Sequence, residues 1–524
     1  MRKSRPTKRT ARRPIQTAAK SPPHRPAKGR ARPDRAFPIV GIGASAGGLE
    51  ALVQFFENMP ADAGMAYVVI QHLDPTQKGM MPELLQRATT MKVAQVKDLT
   101  RVRPNCVYVI PPNHDLSLLR GVLHLLAPAG ARGLRLPIEF FFRSLAEDQQ
   151  ERSVGIILSG MGSDGTLGLK AIKGRNGVAL VQDPATAKFD GMPRSIVDAG
   201  LADFVAPANE LPGKLIAYRR HRPQIASPAP HVARLIHGAM EKIVILLRAH
   251  TGHDFTLYRR STLHRRVERR MGIHQLAKIG DYVRYLQENP QERDILFKEL
   301  LIGVTAFFRD TAAWDQLAKT AIPAVLHSRP GGGPLRAWVA GCSTGEEAYS
   351  LAMAFTETLK RTKGARNFTL LIYATDLDKD AIDKARTGFF PANIAADVSP
   401  ERLARFFVKE AGGYRVNKEI RSMVVFAPQN LISDPPFTKL DFLCCRNLLI
   451  YLTHELQKKL FPLFHYSLNP GGVLFLGSAE SIGNFTELFT PLAPKERIFQ
   501  RTASAGPGSA LAFRRAPSHR RRAD

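Results

Sequence analysis

Apolar residues along this chain switch repeatedly between two spacings. Short apolar runs at Phe37–Ile42, Ala66–Ile70, Val107–Ile110, Ser153–Leu158 and Gly177–Val181 read as buried strands. Between the first two, Leu49, Leu52, Val53 and Phe56 recur at i, i+3, i+4 and i+7, the stripe of an amphipathic helix. Such alternation predicts a parallel sheet wrapped by helices. Leu116–Leu126, broken at Arg120-Gly121, predicts an appended hairpin. A polar, proline-rich stretch, Arg219–Pro230, interrupts the pattern, and His231 to about Gly303 reads as helical throughout. Alternation then resumes: Arg336–Ala340, a helix from Glu346, Phe368–Ala374, a helix from Lys379, Phe442–Cys445, a helix from Thr453, and Gly472–Leu476. Phe389–Phe426 is too long for a plain connection, and its Gly412–Val416 segment predicts a small inserted β unit.

The expected fold class is therefore α/β, with two doubly wound parallel-sheet catalytic domains. The second is preceded by a small helical domain and carries the inserted β subdomain. A chain of 524 residues is too long for one core, and 44% hydrophobic content says globular. The expected boundaries are a first catalytic domain at 37–220, a linker at 221–230, a helical domain at 231–303 and a second catalytic domain at 304–502. Much of the formal charge of +29 sits in the two ends, 1–36 and 503–524, which read as disordered basic tails without aliphatic periodicity. Such tails can stick to nucleic acid or anionic lipid, or be merely solvated, so the charge does not define a function. Cys106, Cys342, Cys444 and Cys445 form no CxxC pair and fit free thiols in a reducing cytoplasm. No apolar stretch is long enough for membrane insertion, and no apolar segment follows the basic start as in a signal peptide.

Gly43-Ala44-Ser45-Ala46-Gly47 fits G-x-S-x-G between a strand and a helix. That turn needs glycines and thrusts a serine oxygen out at the carboxyl edge of a sheet. A dinucleotide fingerprint, Gly41-x-Gly43-x-x-Ala46, competes for the same stretch, but it wants an acid ending the second strand and the chain offers His72. His72 stands where a base for Ser45 belongs, and Asp164, just past another buried strand, can orient the imidazole.

In the second half, Ala340–Glu347 follows a strand and opens a helix, and Asp376 ends the next strand, where an acid can bind both ribose hydroxyls. Together they suggest an adenosyl ligand, either S-adenosylmethionine or a nicotinamide cofactor. Asp434-Pro435-Pro436-Phe437 is the kind of tetrapeptide with which adenine methyltransferases hold a flipped base. There it caps a strand; here it precedes the strand Leu440–Cys445, which speaks against a nucleic-acid methyltransferase.

Through GASAGG, QHLDP, PNCVYVIPP, SGMGSDG and VQDPATAKFDGMPRS, residues 37 to about 220 resemble the chemotaxis methylesterase family, CheB. Through DFTLYRRSTLHRRVERRM, LLIGVTAFFRD, AGCSTGEEAYSLAMA, YATDLD, QNLISDPPF, LDFLCCRNLLIYL and GGVLFLGSAES, residues 231–501 resemble the chemotaxis receptor methyltransferase family, CheR. The first resemblance implies a serine hydrolase that removes glutamate methyl esters from chemoreceptors and deamidates receptor glutamines. Its nucleophile would be Ser45, its base His72 and its orienting carboxylate Asp164, with the Ala46 and Met161 amides as oxyanion donors. The second implies S-adenosylmethionine held by Thr305, Arg309, Glu346, Asp376, Asn430, Leu431, Cys445 and Arg446, with Arg309 and Tyr451 nearest the transferring methyl. Ala46 stands where the first family has threonine, and Gly303 where the second has asparagine.

The implied protein is a cytoplasmic bifunctional enzyme working on methyl-accepting chemoreceptor-like proteins in membrane receptor arrays, alongside signalling kinase or response-regulator partners. The receiver domain that usually precedes the esterase is not expected; the basic tail stands in its place. A signalling scaffold with one or both sites inactive is the alternative. Arg259, Arg260, Arg265, Arg266, Arg269 and Arg270 crowd one helical stretch. A solvated face is the ordinary reading of such a run, and the resemblance favours a docking surface for an acidic receptor helix.

Overall fold

The computed structural model describes residues 37–71, 80–128, 135–221, 230–362 and 367–503. In the first half a seven-stranded sheet runs in the order Phe204–Ala206, Val178–Gln182, Val154–Ile157, Ile39–Ala44, Ala66–Gln71, Cys106–Val109, Lys92–Gln95. Every pairing in it is parallel. Its central strand, Ile39–Ala44, is buried at every position, as a parallel strand covered on both faces must be. Leu52, Phe55 and Phe56 of the helix Gly48–Glu57 pack on one face with Val40 and Ile42. On the other face Gly41 and Gly43 leave room for Ile138, Phe141 and Phe142 of the helix Pro137–Gln149. The expected hairpin forms as Asp115–Leu119 with Val122–Leu126. The edge strands Lys92–Gln95 and Phe204–Ala206 are short and partly exposed, so no apolar run marks them in the sequence.

The second half opens with four helices, Pro230–Thr251, Arg260–Ile273, Ile279–Glu288 and Pro290–Leu301. Its sheet runs Val424–Pro428, Phe368–Asp376, Gly333–Ala340, Leu440–Cys445, Leu468–Leu476, Ile498–Arg501, Phe489–Ala493. The first five strands are parallel and the last two join antiparallel. The inserted unit is a three-stranded antiparallel sheet of Phe389–Pro391, Gly413–Val416 and Phe407–Glu410. It ends earlier than its sequence span suggested, because Val424–Pro428 pairs with Phe368–Asp376 in the main sheet. The terminal stretches 1–36 and 504–524 lie outside the described residues. No helix among the described residues is long and apolar enough to cross a membrane.

The arginine run is neither a solvated face nor a free docking surface throughout. Arg259, Arg260 and Arg265 are exposed, but Arg266, Arg269 and Arg270 are buried. Arg270 pairs within its own half, with Glu292 at 2.8 Å. Arg269 reaches across to the first half, donating to the Gly177 carbonyl at 2.8 Å and pairing with Asp203, while its other arm pairs with Glu299. Lys173 of the first half bridges Asp203 at 3.0 Å and Glu299 at 3.3 Å. Burial alone would raise the Glu299 carboxyl; Arg269, Lys173 and Arg266 outweigh it and hold that carboxyl well below the usual range. Breaking a buried pair by removing one partner leaves an uncompensated charge, which costs about 3–5 kcal/mol. Arg269→Ala is therefore expected to lower stability by about that amount in urea unfolding, with Arg265→Ala, on the exposed side of the same helix, close to neutral.

Candidate active sites

Ser45 sits on the turn between the strand Ile39–Ala44 and the helix Gly48–Glu57, as its motif predicts. The turn closes through Gly47 at φ 68°, a left-handed conformation that a Cβ would strain. The Ser45 amide donates to the Ser159 carbonyl at 3.0 Å, and Ser159 Oγ donates to the Ala46 carbonyl at 2.9 Å. Those bonds tie the serine turn to the next strand's end. Gly160 makes the approach possible, since a Cβ there would lie 2.9 Å from that of Ser45.

The neighbouring strands bring the other candidates to the same edge. Ala44 pairs with Gln71, the residue before His72, and Gly43 with Ile157, on the strand that leads to Asp164. His72 itself lies outside the described residues. Asp164 is buried and accepts the amides of Ile138 at 3.1 Å and Glu139 at 2.9 Å, at the first turn of the helix Pro137–Gln149. Among the described residues no acceptor takes the Ala46 or Met161 amide.

At the carboxyl edge of the second sheet is a cavity. Thr305, Arg309, Asp376, Asn430, Leu431, Arg446 and Tyr451 all line it. Glu346 and Cys445 do not: Glu346 turns to the Thr344 hydroxyl at 2.7 Å, and Cys445 is buried in the strand Leu440–Cys445. The next residue, Glu347, faces the cavity instead. Two residues that the motifs did not single out, His253 and Tyr258, come in from the helical part. Tyr258 lies within a segment that carries the resemblance, but no polar pattern marks it as a ligand contact. His253 is 3.1 Å from the Tyr258 hydroxyl through Nε2 and 3.0 Å from Asn430 Nδ2 through Nδ1. Burial lowers its pKa to about 4, so it is neutral at physiological pH.

Residues 40–215 match the CheB methylesterase family, 238–301 the all-alpha domain of CheR methyltransferases, and 303–498 the CheR S-adenosylmethionine-binding domain. The chemotaxis protein methyltransferase of Listeria innocua is 32% identical over 233 residues, 44% of this chain and 86% of that protein. The chain joins a CheB methylesterase to a CheR methyltransferase. An uncharacterized 104.1 kDa protein of Rhodobacter capsulatus is 39% identical over 458 residues, 83% of this chain and 48% of that protein. The chain thus spans about half the length of that relative. The crystal structure of the Thermotoga maritima CheB catalytic domain is 30% identical, with a TM-score of 0.33, over 34% of this chain and 98% of that domain.

S-adenosylmethionine is the methyl donor of the CheR half, and the cavity's chemistry fits it. Two carboxyls that line it are raised: Asp376 by burial against opposing amide bonds, and Glu347, by burial first and then by Glu480 and Asp310, to about 7. A buried site that strains to keep its acids ionised favours a cationic ligand, and a sulfonium is one. Orphaned polar atoms point the same way. Arg446 Nη1 and Gln429 Oε1 are buried without a hydrogen-bond partner among the described residues, and both side chains line the cavity. Arg446 Nη1 is 3.7 Å from Glu347, too far for a hydrogen bond. At Gly303, where the CheR family carries asparagine, a Cβ would stand 3.1 Å from Ser343 Oγ, so a serine already occupies the adjoining space.

Phe437 of the D-P-P-F segment stacks on Tyr373 with centroids 4.4 Å apart and meets Trp338 edge-on. It is used in packing, which removes the base-holding role that the tetrapeptide raised.

Glu347 makes stability depend on pH. Its carboxyl keeps a proton up to about pH 7 in the folded chain but releases it near 4.5 when unfolded. The folded state therefore binds more protons between those values, and its stability falls as pH rises through that window. Glu347→Gln removes this loss. In urea unfolding the variant should gain about 3 kcal/mol on the parent between pH 4 and pH 8.

Proposed function

We propose that the two halves act in opposite directions on the same glutamates of methyl-accepting receptor proteins. The observation that carries this reading is the presence, on one chain, of a serine elbow at the carboxyl edge of one sheet and an acid-lined donor cavity at that of the other.

In the CheB half, Ser45 is the nucleophile, His72 the general base and Asp164 the carboxylate that orients it. Ser45 Oγ attacks the ester carbonyl while His72 takes its proton. The resulting oxyanion is held by the Ala46 and Met161 amides. Methanol leaves with that proton, and water, activated by the same histidine, releases glutamate and restores Ser45. A glutamine amide presented to the same atoms loses ammonia instead, which is deamidation.

In the CheR half, Thr305, Arg309, Asp376, Asn430, Leu431, Arg446 and Glu347 hold the donor, with Glu347 in the role that the resemblance gives to Glu346. Bound there, S-adenosylmethionine supplies an electrophilic methyl group on a sulfonium. The acceptor glutamate is already ionised at neutral pH, so this half needs no general base. Its task is alignment: Arg309 and Tyr451 hold the acceptor carboxylate in line with the methyl. That accounts for a cavity rich in positioning groups, in which His253 is engaged by Tyr258 and Asn430.

Ser45→Ala should abolish methanol release from pre-methylated receptor fragments while labelled methyl incorporation continues, so that label accumulates. Arg309→Ala should lower incorporation by about 100-fold or more, the scale of a lost transition-state contact, and spare methanol release. Simultaneous loss of both activities in either variant contradicts two separate sites.

A further inference from the structure

The helix Thr166–Gly174 belongs to the CheB half, yet its last residue packs against Val304 behind the CheR cavity. A Cβ placed on Gly174 would lie 2.1 Å from Val304 Cγ2, so this contact fits only a glycine. Val304 lines the donor cavity, and its carbonyl accepts a hydrogen bond from Arg309 Nη1. On the CheR side Arg266 donates to the Lys173 carbonyl at 2.7 Å and the Gly174 carbonyl at 3.4 Å, a cation capping the helix's negative end. Lys170, one turn earlier, reaches the Thr344 hydroxyl at 3.5 Å, on the loop that opens the donor strand's helix.

We propose that Gly174 is a positioning residue for methyl transfer: the CheB half, through Gly174 and Val304, sets where Arg309 stands in the donor cavity. This rests on the reading of that cavity as the donor site. Val304 is β-branched, with one Cγ against Gly174 and its backbone oxygen on Arg309, so it has little freedom to give way. Pushing it from the CheB side moves the carbonyl that holds the guanidinium. The surface of one enzyme is then part of the binding site of the other, and donor affinity depends on how the CheB half is seated.

The test is calorimetric titration of the full chain with S-adenosylhomocysteine. Gly174→Ala improves helix propensity, so a loss of affinity cannot be ascribed to a weakened helix. The variant is expected to bind about tenfold more weakly, the scale of an overpacked contact, with its KM for the donor raised more than kcat is lowered. Adding Val304→Ala makes room for the new methyl: the double variant should bind within about twofold of Val304→Ala alone. Affinity unchanged in Gly174→Ala, or a loss that persists in full when Val304→Ala is added, overturns the proposal. Asp376→Ala separates the two layers. If it too leaves affinity unchanged, the cavity is not the donor site; if it weakens binding while Gly174→Ala does not, the donor site stands and the positioning role falls.

Discussion

Arg269 is wholly buried between the two catalytic halves, its guanidinium shared between Asp203 of the CheB half and Glu299 of the CheR half. A charge taken out of water is tolerated only where partners neutralise it and hydrogen bonds use its remaining donors. Asp203, Glu299, Lys173 and the Gly177 carbonyl supply those partners, and they come from both halves. Neither half can keep this set satisfied by itself. Separation would expose or orphan every member, so the seam ties the stability of each domain to the other. A second tie, Arg143 to Asp397 at 2.6 Å, fixes the inserted β unit's neighbourhood to the helix whose first turn holds Asp164.

Seen from this seam, the helix Thr166–Gly174 spans the distance between two chemistries. Asp164 lies just ahead of its first turn, among the candidate catalytic groups of the esterase, and Gly174 at its last turn packs on Val304, which lines the cavity of the other half. A fusion of opposing enzymes need not have such contact; a flexible tether would serve to keep them together. The buried ion pairs show a packed junction instead, and they place the transferase's most basic helix against its partner domain.

Much of this was legible from residues alone. G-x-S-x-G after an apolar run marked the Ser45 elbow because only a strand followed at once by a helix makes that turn. Strand ends located Asp164 and Asp376, since a parallel sheet collects its carboxyl ends on one edge, while His72, one past Gln71, lies outside the described residues. What escaped depended on distant partners. Arg266 and Arg269 look like a solvated run in one dimension, because Asp203 and the Lys173 carbonyl lie far away in sequence. Glu346 and Glu347 are adjacent, and only the helix's rotation of about 100° per residue decides which one lines the cavity. Val424–Pro428 was hidden inside an apparent insert because its exposed positions interrupt its apolar pattern.

Scanning calorimetry of the whole chain measures the packed junction directly. S-adenosylhomocysteine at about 100 times its dissociation constant adds about 2.7 kcal/mol to the folded unit that binds it. If the buried charges weld the halves into one body, a single endotherm shifts upward as a whole. Two endotherms, of which only one moves with ligand, would contradict it.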